Sequence, residues 1–179
     1  MDRRYDLDYI RVLAFAVLIV YHACVFFAPG SWHIKNDVLY PQLSYPMVFV
    51  NQWRLPLLFV VSGMGTYFAL RRKNGKQYIL ERTKRLLLPF ILGVLFIVPP
   101  QVYIERISQG VDYSGYFNFW PSQIFNGIYP IGNFSWHHLW FILYLFFFSV
   151  VLLPLFLHIK KNKNNWISRN ITRAVSSVG

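Results

Sequence analysis

Four long apolar stretches organise this sequence, running from about Ile10 to Phe27, Val48 to Leu70, Leu86 to Tyr103 and Leu139 to Leu157. Each is close to the ~20 residues that an α-helix needs to cross a hydrocarbon core. None alternates strictly between apolar and polar positions, and each is too long for a barrel strand. Helices are therefore the only way to satisfy their backbone groups in lipid. The pattern predicts an all-α membrane protein with about four transmembrane helices.

The charges between the stretches orient them. Residues 29–47 carry only Lys35 against Asp37, whereas residues 71–85 carry Arg71, Arg72, Lys73, Lys76, Arg82, Lys84 and Arg85 against Glu81. The 104–138 segment holds Arg106 against Glu105 and Asp112, and the chain after His158 has Lys160, Lys161, Lys163, Arg169 and Arg173 with no acid. Cytoplasmic loops carry the excess of basic residues, so the expectation is an N-in, C-in topology with Trp32, Trp53, Trp120, Trp136 and Trp140 near the outer interface. It divides the chain into a transmembrane region, 1–158, and a basic cytoplasmic tail, 159–179. Arg3 and Arg4 precede a long apolar run with no small-x-small site after it, which reads as a retained signal anchor. The 104–138 segment is rich in Tyr, Phe, Trp, Gly, Pro and Asn and reads as an irregular re-entrant or interfacial loop.

Composition narrows the function classes. With 55% hydrophobic, 20% aromatic and 14% charged residues and a mean hydropathy of +0.36, the chain lies outside the range of soluble domains. A net charge of +11 would suggest nucleic acid on a soluble surface, but here the basic residues stand in blocks between apolar runs. The bilayer, not nucleic acid, is the expected partner. The single cysteine, Cys24, excludes a disulfide framework. On a helix it faces away from His22, two residues before it, so Cys24 reads as a packing residue.

Ionisable residues inside spans carry the chemical information, because each costs several kcal/mol unless it is paired or solvated. Arg11 and His22 are about three helical turns apart and share one face, separated by roughly 16 Å along the axis. Asp8 lies one turn before Arg11 as an i, i+3 partner. Two roles fit this stripe. Arg11 can snorkel to head groups while His22 hydrogen-bonds a neighbouring helix; or His22 is a general base while Arg11 holds an anionic group. Arg54, a turn inside the second span, needs a head-group phosphate or a buried partner, and Ser62-Gly63 permits close helix approach. Arg82 and Arg85 share a face at a basic helix end, which suits either anionic lipid or a phosphate-bearing ligand. His137 and His138 point about 100° apart on a helix, poor geometry for chelating one metal. No metal ligands are expected, and an outer-face hydrogen-bonding role suits the pair better.

Taken together, Leu7 to Ala14 followed by Val20-Tyr21-His22 resembles the opening of the acyltransferase 3 family, whose first helix carries an Arg, ten residues, then a His. Phe59 to Gly63 matches that family's aromatic-rich segment ending in Ser-Gly, and Arg82 to Pro89 its Arg-x-x-Arg before a Leu-rich, proline-containing helix. His138-Leu139-Trp140-Phe141 resembles the branch of glucan biosynthesis protein C type. The resemblance implies transfer of an acetyl or succinyl group from acyl-coenzyme A, a donor substrate and not a bound cofactor, to a hydroxyl of a cell-surface or periplasmic glycan, in a multi-pass protein of the bacterial inner membrane. By carry-over, His22 is the catalytic histidine, with Arg11 and Asp8 beside it. Arg82 and Arg85 grip donor phosphates, with Arg54, Ser62 and His138 as further substrate-binding candidates.

Family members have about ten spans and this chain about four. The expectation is a fragment of a longer reading frame, a truncated chain that works with a partner polypeptide supplying the missing helices, or an inactive one. A non-enzymatic accessory subunit and a transporter or channel component are the alternatives to an enzyme.

Overall fold

The computed structural model describes residues 5–161. Arg3, Arg4 and the tail from residue 162 onward lie outside the described residues. Among the described residues the regular structure is helical, with one isolated bridge between Ile128 and Phe134 in the loops that join the helices. The helices are α1 (Tyr5–Phe27), α2 (Ser44–Arg72), α3 (Gly75–Ser108), α4 (Tyr116–Ser122), α5 (Trp140–Val151) and α6 (Leu153–Lys161).

The first three spans expected from the sequence correspond to α1, α2 and α3, all long and apolar enough to cross a membrane. The fourth stretch is not one straight rod. It divides into α5 and α6, bent by 43° at the break and spanning only as a pair. Pro154 explains the bend: it has no N–H for the carbonyl of Val150, and its ring crowds that carbonyl.

Helix α3 starts well before the apolar run. Asn74 caps it, its side chain accepting from the Gln77 backbone N–H while the Gln77 side chain accepts from the Asn74 N–H. Three prolines then fall inside the helix, and the chain absorbs them with two wide turns, Thr83–Leu87 before Pro89 and Gly93–Ile97 before Pro99 and Pro100. The Leu95 carbonyl would look to residue 99 or 100 for a partner, and both are proline. The Trp120 indole N–H fills the gap at 2.8 Å, with its ring stacked on Phe96. This bond docks α4 onto α3 and places Phe119 in the core.

The C-terminus of α1 has no basic residue in its last turn. The following loop returns to close it. Lys35 Nζ donates to the carbonyls of Val25 and Ala28 at 2.6 and 2.7 Å, and the backbone N–H groups of Asn36 and Tyr40 reach Phe26 and Phe27. That closure fixes the loop that carries Trp32 and His33.

The chain clusters into two compact units. One comprises residues up to 63 together with 93–137; the other comprises 64–92 together with the chain from 138. The second unit centres on Leu70, Tyr78 and Leu153, with Ala69, Phe156 and Leu157 against them. Gly75 stands where a Cβ would lie 3.4 Å from Leu157. Lys160 closes the end of α2 by donating to the Leu70 carbonyl at 2.6 Å. Of the apolar windows of α1, α2 and α3, only 11%, 17% and 28% are buried within the chain, so their apolar surface requires lipid or further helices.

Candidate functional site

His22 lies on the last turns of α1, half-buried, with its ring edge-on to Tyr21 and tilted against Trp32 at 6.0 Å. Its Nδ1 is 2.8 Å from the Leu18 carbonyl one turn back. A carbonyl only accepts, so Nδ1 is the donor, and in the neutral ring the lone pair falls on Nε2. The same local bond aims the ring.

Arg54, on α2, is buried and lies with its guanidinium 3.6 Å from the Tyr21 ring centroid. Its Nη2 donates to Asn51 Oδ1 at 2.9 Å. The buried partner this arginine requires is thus an aromatic face and an amide, an arrangement worth about 2 kcal/mol when desolvated. Tyr21 therefore links Arg54 to the edge of His22. Arg11 is not brought to His22. It pairs with Asp8 at 3.7 Å, with both side chains about two-fifths exposed. Ser62 is half-buried on α2.

The second unit holds the remaining candidates. Arg82 is tied down by its own unit: Nε donates to the Tyr78 hydroxyl at 3.0 Å, and Nη2 to Thr66 Oγ1 at 2.9 Å. Thr66 and Tyr78 are themselves 2.9 Å apart and buried. Arg85, three residues on, is exposed in the middle of the wide turn Thr83–Leu87. His138 is exposed at the entry to α5.

Sequence reading missed a polar cluster that joins three distant segments. His33, from the loop after α1, stands with Nδ1 3.1 Å from Glu105 Oε2 and 3.1 Å from the Tyr129 hydroxyl. Tyr129 donates to Glu105 Oε1 at 2.8 Å. Glu105 is 3% exposed near the end of α3. His137 completes the group, its ring 4.4 Å from that of His33 and edge-on to Tyr129. Burial, reinforced by the bond to Glu105, holds the Tyr129 phenol above its ordinary pKa. The two adjacent histidines thus diverge: His137 turns into this cluster, while His138 stays exposed.

The cluster rests on a loop braced by hydrogen bonds from Arg106. Arg106 donates to the carbonyls of Pro130 and Gly132 at 2.7 and 2.6 Å, to Asn133 Oδ1 at 3.1 Å and to Gln109 Oε1 at 3.0 Å. Gly127 and Gly132 touch backbone to backbone, and a Cβ on Gly132 would fall 2.1 Å from the Gly127 carbonyl carbon. Gly127 itself has φ +73°, which favours glycine. An open cleft of about 690 Å³ beside this loop is lined by Arg106, Tyr113, Gln123, Asn126 and Asn133, none of them singled out from the sequence. The sequence signals for the cluster were Glu105 in a weakly charged segment and His137, read as an outer-face hydrogen-bonding residue, with nothing to join them to His33.

Comparison with known proteins places these observations in a family. The family model described as an acyltransferase domain matches residues 4–171. Over 167 residues the chain is 25% identical to proteins named glucans biosynthesis protein C from Escherichia coli (strain SMS-3-5 / SECEC), Shigella dysenteriae serotype 1 (strain Sd197) and Escherichia coli (strain K12 / DH10B). The match covers 92% of this chain and 42% of each relative, so the chain spans less than half the length of those proteins. No solved structure matches it. With the family match running from the first helix through the last described one, the chain belongs to the acyltransferase 3 family of membrane proteins.

Proposed function

We propose that this chain contributes the His22 half of a membrane acyltransferase that moves an acetyl or succinyl group from cytoplasmic acyl-coenzyme A to a glycan hydroxyl at the outer face of the inner membrane. The observation that carries the reading is the 2.8 Å contact between His22 Nδ1 and the Leu18 carbonyl. With Nδ1 donating to Leu18, Nε2 is the nitrogen that accepts a proton. In the reaction the acceptor hydroxyl gives its proton to Nε2 as its oxygen attacks the thioester carbonyl. The C–S bond then breaks, and the departing coenzyme A thiolate takes the proton back. The oxygen–carbon bond of the new ester replaces the sulfur–carbon bond of the donor, so the atoms balance without a redox partner.

The other residues have supporting roles in this reading. Arg54 holds Tyr21 by its ring face, and Tyr21 borders His22. Arg11 with Asp8 provides a polar stripe below His22 on α1. Arg85, exposed, meets donor phosphates, and Arg82 presents a guanidinium already oriented by Tyr78 and Thr66. Ser62 and His138 remain contact candidates for substrate. The low burial of α1 to α3 leaves apolar surface for lipid or for a partner polypeptide that supplies further helices.

The test is transfer of labelled acetyl- or succinyl-coenzyme A in membranes containing the chain, with and without the remainder of its relatives' length supplied in trans, against His22→Ala at equal abundance. Loss of the general base is expected to cut transfer by about 100- to 10,000-fold. Transfer that persists in His22→Ala overturns the role of His22. Absence of transfer in both settings favours the second reading, an accessory or inactive membrane protein.

A further inference from the structure

The His33, Glu105 and His137 cluster is not used by the proposed acyl transfer, and its chemistry is distinctive. Each residue offers one ligand atom, and these atoms lie within 4.8 Å of one another. Two imidazoles and one carboxylate are a donor set that catalytic zinc sites use, with a fourth position left for water or substrate. Zinc bonds of about 2.0–2.1 Å in tetrahedral geometry put ligand atoms about 3.4 Å apart. The His33 Nδ1 to Glu105 Oε2 separation of 3.1 Å is already near that value, and no pair of ligand atoms in the group exceeds 4.8 Å.

Three further observations fit a metal. Glu105 is a buried carboxylate, and such a group needs a positive partner. Arg106, its neighbour in sequence, sends its guanidinium to Pro130, Gly132, Asn133 and Gln109 instead. Among the described residues the side chains that meet the Glu105 carboxylate are His33, Tyr129 and Gln109, none of which carries a permanent positive charge. An outer shell is also in place. Tyr129 holds the second carboxylate oxygen at 2.8 Å, and Ser135 Oγ stands 3.2 Å from His137 Nδ1, the kind of contact that orients a histidine to ligate through Nε2. Lastly, His137 adopts φ +41°, a left-handed conformation that a non-glycine residue keeps only where its surroundings hold it there.

We propose that His33, Glu105 and His137 form a divalent metal site, with Zn²⁺ as the ion of choice because nitrogen donors select it over Mg²⁺ and Ca²⁺. The metal ties together the loop after α1, the end of α3 and the end of the 123–137 loop, all within the first unit. Through Trp32, whose ring lies 5.1 Å from His33 and 6.0 Å from His22, it also sets the wall beside His22.

The 179-residue chain, purified in detergent and stripped with a chelator, is titrated with Zn²⁺ against a chromophoric competitor and with Co²⁺ followed by visible absorption. The expected result is one Zn²⁺ per chain at micromolar affinity or tighter, and intense Co²⁺ bands of tetrahedral type. His33→Ala, Glu105→Gln and His137→Ala each weaken binding by at least tenfold, and Tyr129→Phe by about tenfold. His158→Ala, which removes an imidazole from α6, leaves it unchanged. Glu105→Gln keeps the side-chain shape, so it decides the matter if an alanine variant does not fold, as judged by helical circular dichroism and monodispersity. The proposal is overturned if the folded wild-type chain takes up no Zn²⁺ or Co²⁺, which identifies the cluster as a hydrogen-bonded His33–Glu105 pair. Stoichiometric binding that survives all three ligand substitutions overturns it equally.

Discussion

The hairpin between α2 and α3 and the loop cluster around Glu105 solve the same problem by opposite means. Both must hold polar side chains in place inside a largely apolar chain. At the hairpin the partners are near neighbours in sequence: Asn74 with Gln77, Tyr78 with Arg82, Thr66 one hairpin turn away. At the cluster they are remote, His33 being 72 residues from Glu105 and 96 from Tyr129. Local pairs form as soon as their helix does, so each contributes a modest, separable increment. Remote pairs exist only when every connecting segment is in place, and they fail together.

Substitutions at the two regions sharpen this contrast. The largest structural effect is expected from Gly132→Ala, because its Cβ meets the Gly127 backbone and no flexible side chain can yield. A loss of about 3 kcal/mol is expected, read as collapse of hydrogen-exchange protection across residues 123–137 and not elsewhere. Protection that survives would mean the two glycines can part without cost, and the loop is less unified than the geometry indicates.

At the hairpin, Arg82→Ala strips two donors from buried Thr66 and Tyr78 and is expected to cost about 1.5–3 kcal/mol. Tyr78→Phe removes only a hydroxyl and is expected to cost about 1 kcal/mol. Thermal unfolding in detergent separates the two, and equal losses would show that the network acts as a single unit like the cluster. Asn74→Ala removes one half of a capping box and is expected to cost about 1 kcal/mol, with unfolding elsewhere in the chain unchanged.

The smallest effect is a pH dependence. Tyr129 has a folded pKa raised above its unfolded value, so its contribution is fully present below the unfolded value near 10. It is lost as pH rises through the folded value. Tyrosinate ultraviolet absorbance should show late-titrating phenols, because burial raises Tyr116 as well as Tyr129, and Tyr129→Phe should remove one of these components. A titration indistinguishable from the wild type would assign the late phenols elsewhere.

Proline placement shows how a sequence feature is legible while its consequence is not. Pro89 reads at once as an interruption of the third apolar run, yet α3 continues past it and past Pro99 and Pro100. The wide turns at Thr83–Leu87 and Gly93–Ile97 re-seat the carbonyls that the prolines cannot serve. Pro154 has the opposite outcome, a 43° break that divides the fourth run into α5 and α6. The difference lies in the partners available upstream, such as Trp120 for Leu95, and those are set by packing.

The sequence by itself determined the solvent this protein requires and the family it belongs to. Apolar runs of spanning length and the Arg11, His22, Ser62-Gly63 and Arg82 motifs are local patterns, readable because helix periodicity and lipid solvation act within about twenty residues. Only the tertiary structure decided that Arg54 rests on Tyr21, that Arg82 is held by Thr66 and Tyr78, and that His137 rather than His138 turns inward to His33 and Glu105. Those pairings join residues whose separation along the chain carries no periodic signal, and they come into being only when helices and loops close on one another.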